Sequence, residues 1–341
     1  MAKCDNIEEF IISNISSEEY NNYNIAKLLK FLLHKDNDVK RICIVGTPYG
    51  LLLYLLYIGD YLNTLFIFYG NYPLIDAIRT LQAKGCICLY VSNNIIPSNE
   101  KEFYQVIVDY ISDNLDSYPV EIYGQDTSPI IQKFINERFT LFEDGRISYI
   151  SENDSKRTHG FNVSIYDSRI KQIIYTGLEI IPQKLKDHSI LINLNNCWNS
   201  MSQIQKNNIL DIFGFNISSL NELIKSGRDI VIFTRNYSKV GKCSEANHIQ
   251  MYSEIISHYN INNIIIKPHP NDNVLYQKVF DNVVVLPTKM PAELIMLCGL
   301  SIRKVVSVDA SSNIFGAFNE ETSIELYPEL LNKYNVIKTR E

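Results

Sequence analysis

RICIVGTPYGLLLYLLY, residues 41–57, joins two different periodicities in one short stretch. Ile42 to Val45 is a continuous apolar run, the pattern of a strand buried on both faces. Gly46 and Thr47 interrupt it, and Pro48 stands where a helix begins, because the first helical residue has no use for an N–H. The apolar run from Leu51 to Ile58 then continues the helix. A strand that feeds directly into a helix is half of a βαβ unit, so a parallel sheet is expected.

Outward from there the alternation repeats. Thr64 to Tyr69, Ile87 to Val91, Gln105 to Val108 and Phe139 to Phe142 read as further buried strands, with helical patterns at Pro48 to Tyr57, Pro73 to Ala83 and Ser128 to Arg138. From Ser151 to about Lys186 the pattern weakens: Glu152 to Arg157 is polar throughout and Pro182 ends an apolar stretch. Strands resume at Ser189 to Leu194, Asp229 to Phe233, Asn263 to Lys267, Val283 to Leu286 and Lys304 to Val308, with helices near Ile249 to His258 and Ala292 to Cys298. The expected plan is α/β throughout: a Rossmann-like domain over 1–155, a connection over 156–188 and a second Rossmann-like domain over 189–341, whose final helix is placed to pack back on the first. A length of 341 residues suits two such domains.

Composition narrows the function. Apolar residues make up 46% and charged residues 21%, which is globular rather than disordered. The net charge of -6 and the lack of any long basic run argue against a nucleic-acid partner. Seven cysteines, an odd number scattered through apolar runs, read as reduced thiols in a cytoplasmic protein. Cys86 and Cys88 have a C-x-C spacing without two further ligands nearby, so no zinc site is expected. Asp36-Asn37-Asp38, the one D-x-D string, precedes the first strand and reads as a solvated loop. Met1 to Asn6 is polar and the most apolar run is too short to span a bilayer, so neither signal peptide nor anchor is expected.

Ligands of open α/β sheets bind beyond the carboxyl ends of the strands, and four polar groups stand there. In Lys267-Pro268-His269-Pro270 two prolines frame one histidine, fixing a ring able to bind or protonate a leaving phosphate. Ser311-Ser312-Asn313 opens a helical pattern whose N–H groups and hydroxyls suit an anion. Glu143-Asp144-Gly145 follows a strand and offers a general base, although acidic residues before glycine are also ordinary turn chemistry. Glu293 lies in the first turn of a helix, either as a cap favoured by the helix dipole or as a grip on ribose hydroxyls.

Taken in order, Glu143-Asp144-Gly145, His269-Pro270 and Ser311-Ser312 resemble the three motifs shared by bacterial sialyltransferases. The chain is most similar to the lipooligosaccharide and capsule enzymes of glycosyltransferase family 52, in Thr47-Pro48 with its following helix and in the Lys-Pro-His-Pro loop. That resemblance implies a GT-B fold, two Rossmann-like domains facing a central cleft, the first holding the acceptor and the second CMP-sialic acid. It implies inverting, metal-independent transfer to a galactose-type hydroxyl, with no cofactor beyond the donor. His269 would contact the phosphate as electrophile or general acid; Lys267, Pro270, Ser311 and Ser312 would line the phosphate and Glu293 the ribose. Asp144, beside Glu143, would be the base. Some members carry an acidic pair in the loop ahead of the His-Pro segment; here Ser238 to His248 offers only Glu245, a rival base. A galactose-terminated glycan is the expected acceptor. Peripheral contact with the inner face of a membrane and a homodimer are both compatible with the sequence. Other GT-B chemistries, a CMP-keto-sugar transferase or a nucleotide-sugar epimerase, and a non-catalytic glycan-binding module are the competing readings.

Overall fold

A computed structural model describes residue 7 and residues 22–33, 38–70, 74–91, 98–125, 129–150, 165–309 and 321–336. The chain divides into two compact units, Met1–Gln205 and Lys206–Glu341, each built on its own parallel sheet.

The first sheet has seven strands: β1 (Arg41–Val45), β2 (Thr64–Tyr69), β3 (Ile87–Val91), β4 (Glu121–Gln125), β5 (Phe139–Phe142), β6 (Gln172–Tyr175) and β7 (Ser189–Leu191). Their order is β3-β2-β1-β4-β5-β6-β7, all pairs parallel, so the winding reverses between β1 and β4. The helices of this unit are α1 (Asn22–Leu32), α2 (Pro48–Ile58), α3 (Ile75–Ala83), α4 (Ser98–Asp113), α5 (Pro129–Gln132) and α6 (Leu194–Ser200); α7 (Gln203–Ile212) crosses the division.

Helix α2 forms as its sequence requires. Thr47 caps it by accepting the Gly50 N–H, Pro48 opens it, and Gly59 ends it at φ 69°. Leu51 to Leu55 are fully buried, as in a helix that is apolar all round and lies inside its domain. Each of those leucines contributes about 1.5–3 kcal/mol by leaving water.

The second sheet has five strands: β8 (Ile230–Phe233), β9 (Ile264–Lys267), β10 (Val284–Val285), β11 (Lys304–Ser307) and β12 (Ser323–Leu326), in the order β10-β9-β8-β11-β12. The winding reverses between β8 and β11. Around it lie α8 (Ile217–Ser226), α9 (Glu245–Ser257), α10 (Tyr276–Val279), α11 (Ala292–Leu297) and α12 (Glu329–Lys333).

Two parallel α/β units are therefore present, as the sequence leads one to expect. Four particulars differ. Gln105 to Val108 is helical, inside α4, because Phe103, Ile107, Val108 and Ile111 are buried at helical spacing. The stretch 156–188 is not merely a connection: it contains β6. Ser189–Leu191 joins the first sheet as β7, so the second unit starts after Gln205 rather than at residue 189. The last described helix, α12, sends Leu330 and Leu331 into the core of its own unit, with Ile230 and Ile264. Pro73, Ser128, Glu152 to Arg157, and Asp36 and Asn37 lie outside the described residues.

Candidate functional site

In the first unit the polar groups gather at the carboxyl ends of β1, β4, β5 and β6, astride the reversal between β1 and β4. Glu143, one residue beyond β5, is 0% exposed, and its carboxylate accepts from the Tyr49, Tyr149 and Thr176 hydroxyls and from the Thr176 N–H. With burial as the larger cause, this carboxylate also raises the pKa of Tyr149, holding that phenol protonated as a donor. An enclosed acceptor of four donors ties α2, β5 and the end of β6 together and has no lone pair to spare for a substrate proton. Glu143, read from sequence as half of a catalytic pair, thus sits as the anchor of the edge.

Asp144 is different. It is partly exposed and opens the turn Gly145–Tyr149, where Gly145 takes φ 62° and the Ser148 hydroxyl accepts the Asp144 N–H at 2.7 Å. The fully buried Gln125, at the end of β4, donates from Nε2 to Asp144 Oδ1 at 2.8 Å. The same amide accepts the Thr47 hydroxyl at 2.6 Å, and Thr47 Oγ1 accepts the Gly50 N–H at 3.0 Å. One chain of hydrogen bonds therefore runs from the first turn of α2 through Gln125 to the Asp144 carboxylate. It needs Gly50, since a Cβ there would lie 2.0 Å from Gln125 Oε1.

In the second unit, β9 delivers Lys267 and the Pro268-His269-Pro270 loop. The His269 N–H donates to Thr234 Oγ1 at 3.2 Å, and its Nδ1 accepts the Asn271 N–H at 3.1 Å. A neutral ring with Nδ1 so engaged carries its proton on Nε2. Burial, then the charges of Arg235 and Lys267, push the His269 pKa down to about 4, so the ring is a neutral N–H donor at physiological pH.

A buried network supports the loop. Asp272 Oδ2 accepts from the Thr234 and Tyr276 hydroxyls, both at 2.7 Å, and Oδ1 from the Val274 N–H at 3.1 Å. His248 Nε2 lies 2.7 Å from the Tyr276 hydroxyl, and the Ser238 N–H faces His248 Nδ1 at 3.4 Å. Burial lowers the His248 pKa against the pull of Asp272. Thr234 thereby links the buried carboxylate to the His269 backbone.

Lys267 ends β9. It is buried, its ammonium donates to the Pro268 and Thr288 carbonyls, and burial lowers its pKa to about 7 against the pull of Glu293. It pins the loop from beneath. Lys289 also holds the loop, through the Pro270 carbonyl. Glu293 lies in the first turn of α11, near enough to Lys267 to act on it. Glu245 is exposed in the first turn of α9, after the Ser244 cap. Ser311 and Ser312 lie outside the described residues.

Sequence reasoning passed over Gln125, Thr176, Thr234, Arg235, Asp272 and Asp309. Thr234, Arg235 and Asp309 directly follow strands that the sequence had identified, so the strand-end rule itself was the available signal.

Residues 98–335 match glycosyltransferase family 52. A relative from Haemophilus influenzae, described as an uncharacterized protein, is 25% identical over 225 residues, 64% of this chain and 72% of the relative. Among solved structures, the GT-B domain of a sialyltransferase from Photobacterium damselae aligns with a TM-score of 0.49 at 12% identity, over 83% of this chain and 89% of that one.

Proposed function

The chain belongs to glycosyltransferase family 52, and from that premise we propose that it transfers sialic acid from CMP-sialic acid to a galactose-type hydroxyl of a lipooligosaccharide or capsular glycan. The observation that carries this is His269: a half-buried, neutral imidazole at a strand end, with Nδ1 engaged and its proton on Nε2. Such a donor stabilises charge developing on a departing phosphate without having to be charged itself.

In the reaction the acceptor oxygen bonds to the anomeric carbon of sialic acid. The bond from that carbon to the phosphate oxygen breaks, and its electron pair leaves with CMP. The hydroxyl proton passes to Asp144, whose carboxylate is aligned by Gln125. Between the two candidates next to each other, enclosure of Glu143 by four donors supports a structural role for it and Asp144 as the base. Glu245 is the rival. The Nε2–H of His269 donates to the leaving phosphate, Glu293 holds ribose hydroxyls, and Ser311 and Ser312 line the phosphate. One displacement inverts the anomeric carbon, and neither a metal nor another cofactor enters it. The donor is soluble and the acceptor lipid-linked, so the work is done at the inner face of the membrane; among the described residues no helix is long and apolar enough to cross it.

The test is to offer CMP-sialic acid, other CMP-linked keto-sugars and UDP-sugars with a panel of galactosides, and to follow nucleotide release with and without EDTA. CMP release from CMP-sialic acid that depends on a galactoside and survives EDTA is expected. Turnover of a UDP-sugar alone would replace this with an epimerase, and binding without turnover with a glycan-binding module.

A further inference from the structure

Three side chains stand in a row across the carboxyl edge of the second sheet, at its reversal between β8 and β11. In the ladders Phe233 pairs with Lys267, and Val306 with Ile232. Continued past the last pairs, these registers set Arg235 opposite His269 on one side and Asp309 on the other. The contacts agree. The Thr234 N–H donates to the Lys267 carbonyl at 3.1 Å, the His269 N–H to Thr234 Oγ1, and Arg235 Nε lies 3.2 Å from Asp309 Oδ1.

Arg235 is fixed rather than loose. The Tyr252 hydroxyl accepts its backbone N–H at 2.8 Å, and Asp309 is itself oriented by the Tyr237 hydroxyl, which donates to Oδ2 at 2.6 Å. A guanidinium has five N–H donors; the pair with Asp309 uses Nε and a further hydrogen bond goes to Tyr237, which leaves part of the fork to offer. The side chain keeps 30% of its exposure.

An anionic donor brought to this edge needs a positive charge, and the other candidates are committed elsewhere. Lys267 is turned onto the Pro268 and Thr288 carbonyls, Lys289 onto that of Pro270, and His269 is neutral. The charge of Arg235 also reaches the His269 imidazole, whose pKa it helps to lower after burial. We infer that Arg235 binds the phosphate of the nucleotide donor, presenting its planar fork beside the His269 N–H and held at the switch point by Asp309. This rests on the second unit being the donor half of the enzyme.

Titration calorimetry of the full chain with CMP and with cytidine tests it, since the two ligands differ only by the phosphate. Wild type should bind CMP more tightly than cytidine. Arg235→Gln should weaken CMP by about 10- to 100-fold, the usual weight of hydrogen bonds to a charged group, and leave cytidine unchanged. Arg235→Lys, which keeps the charge and loses the fork, should give a smaller loss of the same selectivity and carries the test if the glutamine variant does not fold. Equal losses for both ligands, or none for CMP, would overturn the assignment to Arg235 alone. Failure of wild type to bind either ligand would overturn the donor-half reading and this inference with it.

Discussion

Gly50→Ala adds a single methyl group, yet it should cost both stability and activity. The new Cβ would lie 2.0 Å from Gln125 Oε1, 2.4 Å from its Cδ and 3.0 Å from its Cβ. Gln125 is fully buried and holds Thr47 on one side and Asp144 on the other, so it has no empty space to swing into without releasing a partner. Alanine in place of glycine in a helix is worth at most about 1 kcal/mol in favour of the variant. Against that stand two hydrogen bonds at about 1 kcal/mol each and overpacking at about 1–3 kcal/mol. The net is a loss of about 2–4 kcal/mol, which for a unit of this size lowers Tm by roughly 4–16 °C. A carboxylate released from its aligning amide should also lower kcat, by about 10²-fold, with little change in KM for the donor. Thermal unfolding followed by circular dichroism reads the first effect and steady-state kinetics the second. A variant as stable as wild type, or more stable as helix propensity alone predicts, would refute the hydrogen-bond chain.

Further outcomes separate neighbouring residues. Glu143→Gln puts an amide among four donors and should destabilise by about 1–3 kcal/mol in urea titrations, whereas Asp144→Asn should keep the urea midpoint while losing about 10²–10⁴ in kcat; the reverse pattern would exchange their roles. NMR titration of the free enzyme should keep the His269 ring neutral down to about pH 5, with its pKa of about 4 rising when CMP binds, because an opposite charge favours the protonated form; an ordinary titration in the free enzyme would contradict its burial. Lys267 should appear in the pH dependence of stability. Between its folded pKa of about 7 and the usual 10.5 the unfolded chain holds a proton that the folded chain lacks. Stability therefore rises with pH there, by up to about 1.4 kcal/mol per unit, and loses the benefit as pH falls through 7; Lys267→Met should remove that slope.

Parallel sheets are legible in sequence because strands buried on both faces are unbroken apolar runs, and Arg41–Val45, Thr64–Tyr69 and Ile87–Val91 are of that kind. Where a run is short the two periodicities coincide, and Gln105 to Val108, rich in β-branched residues, reads as a strand although it lies within α4, where Ile107 and Val108 are its buried members. Glu121–Gln125 and Gln172–Tyr175 escaped because they are short and carry Glu, Gly and Gln within them. The candidate site divides in the same way. His269 and Asp144 are visible from their neighbours in sequence, a proline frame and a glycine turn. Gln125 and Asp272 are not, because their meaning lies in contacts across the sheet: Thr47 reaches Gln125 from 78 residues away and Thr234 reaches Asp272 from 38. Glu143 shows the converse, since adjacency to Asp144 suggests a pair while the fold encloses Glu143 and leaves Asp144 partly exposed.

The most direct measurement is the formation of sialylated galactoside from CMP-sialic acid in EDTA, by mass spectrometry, for wild type, His269→Ala, Asp144→Ala and Glu245→Ala side by side. Product from wild type and from Glu245→Ala, with loss of activity in the His269 and Asp144 variants, is the predicted result. Undiminished product from Asp144→Ala with none from Glu245→Ala would move the base to the second unit, and absence of sialylated product from wild type with every acceptor would contradict sialyl transfer itself.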